Sequence, residues 1–128
     1  MDVCYTYYVS IGSNFNPEVN IRAANTLLSA CFATASFSEV LRTEGIGLPY
    51  QCWYLNQMVR IQSPLDYQKM EFALKELEKQ AGRKKNSRNV VLDLDIVEVD
   101  GVIVHKHYNK YPFLAQLRNT FNENTSNK

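Results

Sequence analysis

Long apolar runs are absent from this chain of 128 residues. None approaches the roughly 18 residues that a membrane span requires. The opening MDVCYTYYVS has no basic segment leading into an apolar one, as a secretory leader would. The expectation is a cytoplasmic protein with no membrane partner. An excess of one charge is also missing: 14 basic and 13 acidic side chains leave a formal charge of +1. No global field then draws the chain to nucleic acid, and an anionic ligand must be held locally. Cysteine is scarce. Cys4, Cys31 and Cys52 are odd in number and widely spaced, which suits neither a disulfide framework nor a zinc site. They read as small apolar residues.

A composition of 45% apolar and 21% charged residues fits one compact domain. It is expected to act as a monomer and to occupy residues 1–118. Residues 119–128 are almost wholly polar and are expected to fray. Residues 5–11 are rich in aromatic, β-branched and hydroxyl side chains and end in Gly12-Ser13-Asn14, which predicts a strand and a turn. Asn16 as cap, Pro17 and Glu18 then open a helix, with Val19, Ala23, Ala24, Leu27, Leu28 and Cys31 as its apolar stripe. Residues 35–42 predict a second strand, followed by a loop marked by Gly45, Gly47 and Pro49.

In residues 54–62, Leu55, Val59 and Ile61 alternate with Asn56, Arg60 and Gln62, as in a strand with one face on the core. Gln57 and Met58 break the alternation. Ser63-Pro64 predicts a second helix start, and Met70, Ala73, Leu74, Leu77 and Ala81 recur at helical spacing before Gly82. The stretch from Arg83 to Asn89 has no apolar anchor and reads as a basic loop. Residues 90–99 predict a strand, and Asp100-Gly101 a hairpin into Val102, Ile103 and Val104. This βαββαβ order predicts an α+β, ferredoxin-like antiparallel sheet with two helices on one face and an extra hairpin arm.

Asp93 and Asp95 are one residue apart in a predicted strand, so both carboxylates leave one face, with Cα atoms about 6.6 Å apart. Leu92, Leu94 and Ile96 take the other face. Two like charges so close favour a cation, and hard oxygen ligands suit Mg²⁺, which also binds phosphate oxygens. For an isolated Asp-x-Asp, the ordinary alternative is a polar strand face paired with Arg or Lys. The basic loop just upstream suits a polyphosphate.

Ile11-Gly12-Ser13-Asn14, Tyr54-Leu55-Asn56, Glu78 with Gly82-Arg83, and Leu92-Asp93-Leu94-Asp95-Ile96 occur in an order that resembles the 6-hydroxymethyl-7,8-dihydropterin pyrophosphokinases. The resemblance covers the chain to about Leu117. It implies transfer of pyrophosphate from ATP to the pterin hydroxymethyl group, giving AMP and the pterin diphosphate in folate synthesis. It implies Asp93 and Asp95 as ligands of two Mg²⁺ ions and Arg83 as a further catalytic group. Thr43, Tyr54, Asn56 and Phe113 would hold the pterin, with Asn56 offering both a donor and an acceptor. Glu78, Arg83, Lys85, Arg88, His107 and Tyr108 would contact nucleotide. Tyr54 and Phe113 can equally be packing residues.

The pattern also departs from that family. An arginine usual three residues before the first aspartate is Val90 here, with Arg88 two residues earlier, and the family's C-terminal extension is missing. A second reading is therefore a pterin-binding or protein-interaction module that has lost its catalysis. A third, a nucleic-acid binder, would use Tyr5, Tyr7 and Tyr8 as stacking aromatics.

Overall fold

A computed structural model describes residues 3–44, 52–84 and 87–121. Strand β1 (Tyr5–Ser13) sits in the sheet's middle, antiparallel to β4 (Trp53–Ser63) on one side and β5 (Asp93–Val99) on the other. Two short strands, β2 (Ser36–Phe37) and β3 (Leu41–Glu44), pair with β4, and β6 (Val102–Ile103) pairs with β5. Helices α1 (Pro17–Cys31), α2 (Tyr67–Gln80) and α3 (Pro112–Asn119) complete an α+β fold of three helices and six strands among the described residues.

Alternation along β1 sorts the two layers. Tyr7, Val9 and Ile11 are fully buried with Val59, Ile61, Leu94 and Ile96, under α1 and α2. Met70, Leu74 and Leu77 are the α2 stripe facing this core. Each leucine fully buried there contributes about 1.5–3 kcal/mol. The opposite face is covered only in part, where α3 and the turn after it set Leu114, Leu117 and Phe121 on Tyr8, Met58 and Val97. The expected pair of helices on one face is present; α3 is an addition, and it explains why Met58 interrupts the alternation of β4. Gln57 looks the other way, into α1, where its amide bonds Asn25 and the Ser38 carbonyl.

Several local expectations are corrected. The second strand is broken: Ser38 exchanges hydrogen bonds with Met58 through its backbone N–H and its hydroxyl oxygen, and pairing resumes one register on at Leu41 opposite Asn56. The α1 stripe is Ile21, Ala24 and Leu28, while Val19, Ala23 and Cys31 are exposed. Asn16 holds the cap position, but with φ 41° and no side-chain cap bond. The cap of α2 is Asp66, whose carboxylate accepts the Lys69 N–H at 3.0 Å, whereas Ser63 Oγ accepts Leu65 N–H in the turn before it.

Cys4 and Cys31 are free and exposed, so neither is a core residue. Residues 90–92 precede β5 as a loop, clamped where Val90 N–H donates to Asn14 Oδ1 and Val90 O accepts Asn14 N–H. The Asp100-Gly101 hairpin forms as expected, with positive φ at both residues (48° and 86°). Packing runs past position 118 as far as Phe121, which meets Tyr8 edge-on at 5.5 Å. Tyr7 and Tyr8 are buried, and neither offers a face to a nucleic-acid base. No helix among the described residues is long and apolar enough to cross a membrane.

Candidate active site

The uncovered half of the α3 side of the sheet is a cleft. Because β1 alternates, Ser10 and Gly12 face it, opposite Asp95 and Asp93 of β5. Asn56 of β4 reaches it directly across from Gly12, and Thr43 of β3 lies opposite Tyr54. The first turn of α3 closes one end with Phe113 and Leu114, beside Tyr111. Thr43, Tyr54, Asn56, Asp93, Asp95 and Phe113 thus line one cavity of about 200 Å³. A second recess of about 570 Å³, lined by Tyr67, Glu71, Lys106 and His107 among others, shares Asp93, Asp95, His105 and Tyr111 with the first. The two carboxylates stand at the junction.

Asn56 is buried, and its amide N–H donates to Thr43 Oγ1. A Cβ at position 12 would lie 3.2 Å from Asn56 Oδ1, so glycine is what lets this amide rest over β1. Asp93 accepts from Arg83 Nη1 at 3.1 Å, and Arg83 also donates to Leu92 O. Asp95 lies 3.6 Å from Lys75 Nζ. Each carboxylate therefore has a cationic partner, as the ordinary reading of Asp-x-Asp expects. These partners do not satisfy Asp95: burial first, then the charge of Asp93, pushes its carboxyl up to about 7, with Lys75 pulling the other way.

Glu78 is buried, and its Oε2 accepts the Leu94 N–H at 2.6 Å and Lys75 Nζ at 3.2 Å. It ties α2 to the strand that carries the aspartates and turns away from the cleft. His107 is exposed in the second recess, and Tyr108 is half-buried against the α3 core. Arg88 is exposed, its carbonyl bonded to Asn14 Nδ2, and lines neither cavity. Lys85 lies outside the described residues. Val90, in the loop before β5, brings no cation to the site.

Sequence reasoning missed Lys75, Ser10, Glu44, His105 and Tyr111. Lys75 carried one usable signal, its position one turn before Glu78 on a helix packed against β5. His105 is kept below the usual histidine range by burial and by His107 beside it, while its Nδ1 accepts the His107 backbone N–H.

Residues 8–120 match the sequence pattern of the 7,8-dihydro-6-hydroxymethylpterin-pyrophosphokinases. The chain belongs to that family. No curated protein gives a match. Membership in this pyrophosphokinase family makes the chain a member of an enzyme family whose chemistry uses Mg²⁺-ATP and a pterin. The residues fit such a metal. Two acidic oxygen donors share one face at a cleft, one of them poorly neutralised. No group of three or more ligating side chains is present among the described residues. A protein that supplies only two carboxylates leaves the remaining positions to phosphate and water, which is how Mg²⁺ is usually held.

Proposed function

We propose that the chain transfers the β,γ-diphosphoryl group of ATP to the hydroxymethyl oxygen of 6-hydroxymethyl-7,8-dihydropterin. It would act as a cytoplasmic monomer in folate synthesis, on a ferredoxin-like domain whose packing reaches Phe121. The observation that carries this reading is the junction: two recesses meet at Asp93 and Asp95. One is furnished for a flat heterocycle by Tyr54, Phe113 and the Asn56 amide. The other runs toward His107 and takes the nucleotide.

In this reading Tyr54 and Phe113 wall the ring, and Asn56 pairs with its amide-like edge. Thr43 fixes the Asn56 amide in advance of binding. Asp93 and Asp95 would hold two Mg²⁺ ions, which supply charge neutralisation along the triphosphate. The pterin oxygen bonds to Pβ as the bond from Pβ to the Pα-bridging oxygen breaks. AMP leaves with that oxygen and the hydroxyl proton passes to solvent. No side chain is assigned as general base, since catalysis here is chiefly alignment. Glu78 keeps Arg83 and Lys75 beside the aspartates; Arg83, on Asp93, and His107, in the second recess, complete the nucleotide side.

AMP release from ATP and the reduced pterin tests the proposal. Asp95→Asn is expected to lower it by more than about a hundredfold with the fold intact. Unchanged release would remove Asp95 from the site. Val90, which contributes no cation, favours the second reading, a retired enzyme. That reading requires tight pterin binding indifferent to ATP and Mg²⁺, whereas nucleotide-enhanced binding is expected of the enzyme.

A further inference from the structure

We propose that Lys75 is a positioning residue for the polyphosphate: it competes with a divalent cation for Asp95 and, once displaced, binds a phosphate oxygen. The inference rests on the pyrophosphokinase reading and adds a residue to it. Lys75 Nζ is shared by three oxygens, Leu94 O at 3.1 Å, Glu78 Oε2 at 3.2 Å and Asp95 Oδ1 at 3.6 Å. Two of these belong to the framework joining α2 to β5. The third and longest belongs to a carboxylate of the cleft. The Lys75 and Asp95 side chains are 38% and 37% exposed, so this contact is open to exchange.

A divalent ion on Asp95 would turn that attraction into repulsion at close range. A flexible four-carbon stem then lets the ammonium move without disturbing the helix. Its destination follows from spacing. Tyr67, Glu71 and Lys75 lie at four-residue steps on one stripe of α2, and Tyr67 and Glu71 line the second recess. That recess sets the carboxylates of Glu71, Asp93 and Asp95 against the ammonium of Lys106, so an anionic chain entering it needs further cations. Arg83 stands on Asp93 and Leu92 O and serves the Asp93 side of the site. Lys75 is the cation that metal arrival at Asp95 releases. Removing a lysine that only braced α2 against β5 would also ease a cation onto Asp95, because one positive charge is gone; only a lysine that binds phosphate would weaken nucleotide binding when removed.

Two titrations separate these roles. The first follows Mn²⁺ alone by electron paramagnetic resonance on the whole chain, comparing wild type with Lys75→Met, or with Lys75→Gln should the first variant not fold. Removing the competitor is expected to tighten Mn²⁺ binding about threefold to fivefold. The second follows a non-hydrolysable ATP analogue with Mg²⁺ by calorimetry. Its affinity is expected to fall about tenfold or more in Lys75→Met and to be largely restored in Lys75→Arg. A wild type that binds the analogue together with a Lys75→Met protein that binds it equally well overturns the Lys75 role alone. Weaker Mn²⁺ binding in the variant overturns the competition. A wild type that takes up neither Mn²⁺ nor the analogue overturns the pyrophosphokinase reading and this inference together.

Discussion

Position 12 admits no side chain without moving the amide proposed to read the pterin. The added Cβ of Gly12→Ala would sit 3.2 Å from Asn56 Oδ1, inside ordinary contact, while the extended backbone accepts alanine without strain. Folding stability should stay within about 1 kcal/mol of wild type. Displacing Asn56 from Thr43 should weaken pterin binding about fivefold to tenfold, read by calorimetry; equal affinity would show that Asn56 does not touch the ligand. At this scale the aspartates were legible because strand alternation alone puts Asp93 and Asp95 on one face. Lys75 and His105 were not. Each acts through a neighbour distant in sequence, Asp95 for the first and the paired cavities for the second, and no local spacing records that.

Among elements, a single extra residue in β5 decides how α3 is attached. Pairing with β1 shifts between Tyr8 and Val9, so that Val9 faces Ile96 while Tyr8 faces Glu98, leaving Val97 as a bulge. Strict alternation would have sent Glu98 toward the α1 and α2 core. With the bulge it turns to α3 and meets Arg118, Nε to Oε1 at 2.8 Å, with side chains 19% and 8% exposed for Arg118 and Glu98. The same guanidinium lies 3.8 Å above the Tyr8 ring. Arg118→Ala leaves a buried carboxylate unpaired and should cost about 3–5 kcal/mol. Glu98→Gln combined with Arg118→Met should cost much less. Chemical denaturation of the single and double variants measures both; equal costs would mean that packing, and not the ion pair, fixes α3. Helix existence was legible from period and stop signals such as Gly82, whose φ is 98°. The bulge, the break at Ser38 and the α3 contact are long-range outcomes, and α3 itself lay in a stretch placed inside the domain but given no element.

Over the whole molecule, one sheet separates two cores with different duties. The face under α1 and α2 is closed and holds the fold; the other is half covered by α3 and half given to the cleft. Matched leucine truncations should expose the difference. Leu74 on α2 and Leu117 on α3 are both fully buried, so Leu74→Ala and Leu117→Ala should each cost about 2–5 kcal/mol. Their effects on ligand binding should diverge. No residue of the core that holds Leu74 lines the first recess, and the folded fraction of that variant should bind pterin like wild type. Leu117 seats the helix whose first turn carries Phe113 and Leu114, and its loss should weaken pterin binding as well as stability. Calorimetric titration below the unfolding transition of each variant decides the matter. Equal pterin affinity in both would mean that Tyr54 and Asn56 hold the ring unaided, with α3 serving only to cover Tyr8 and Met58.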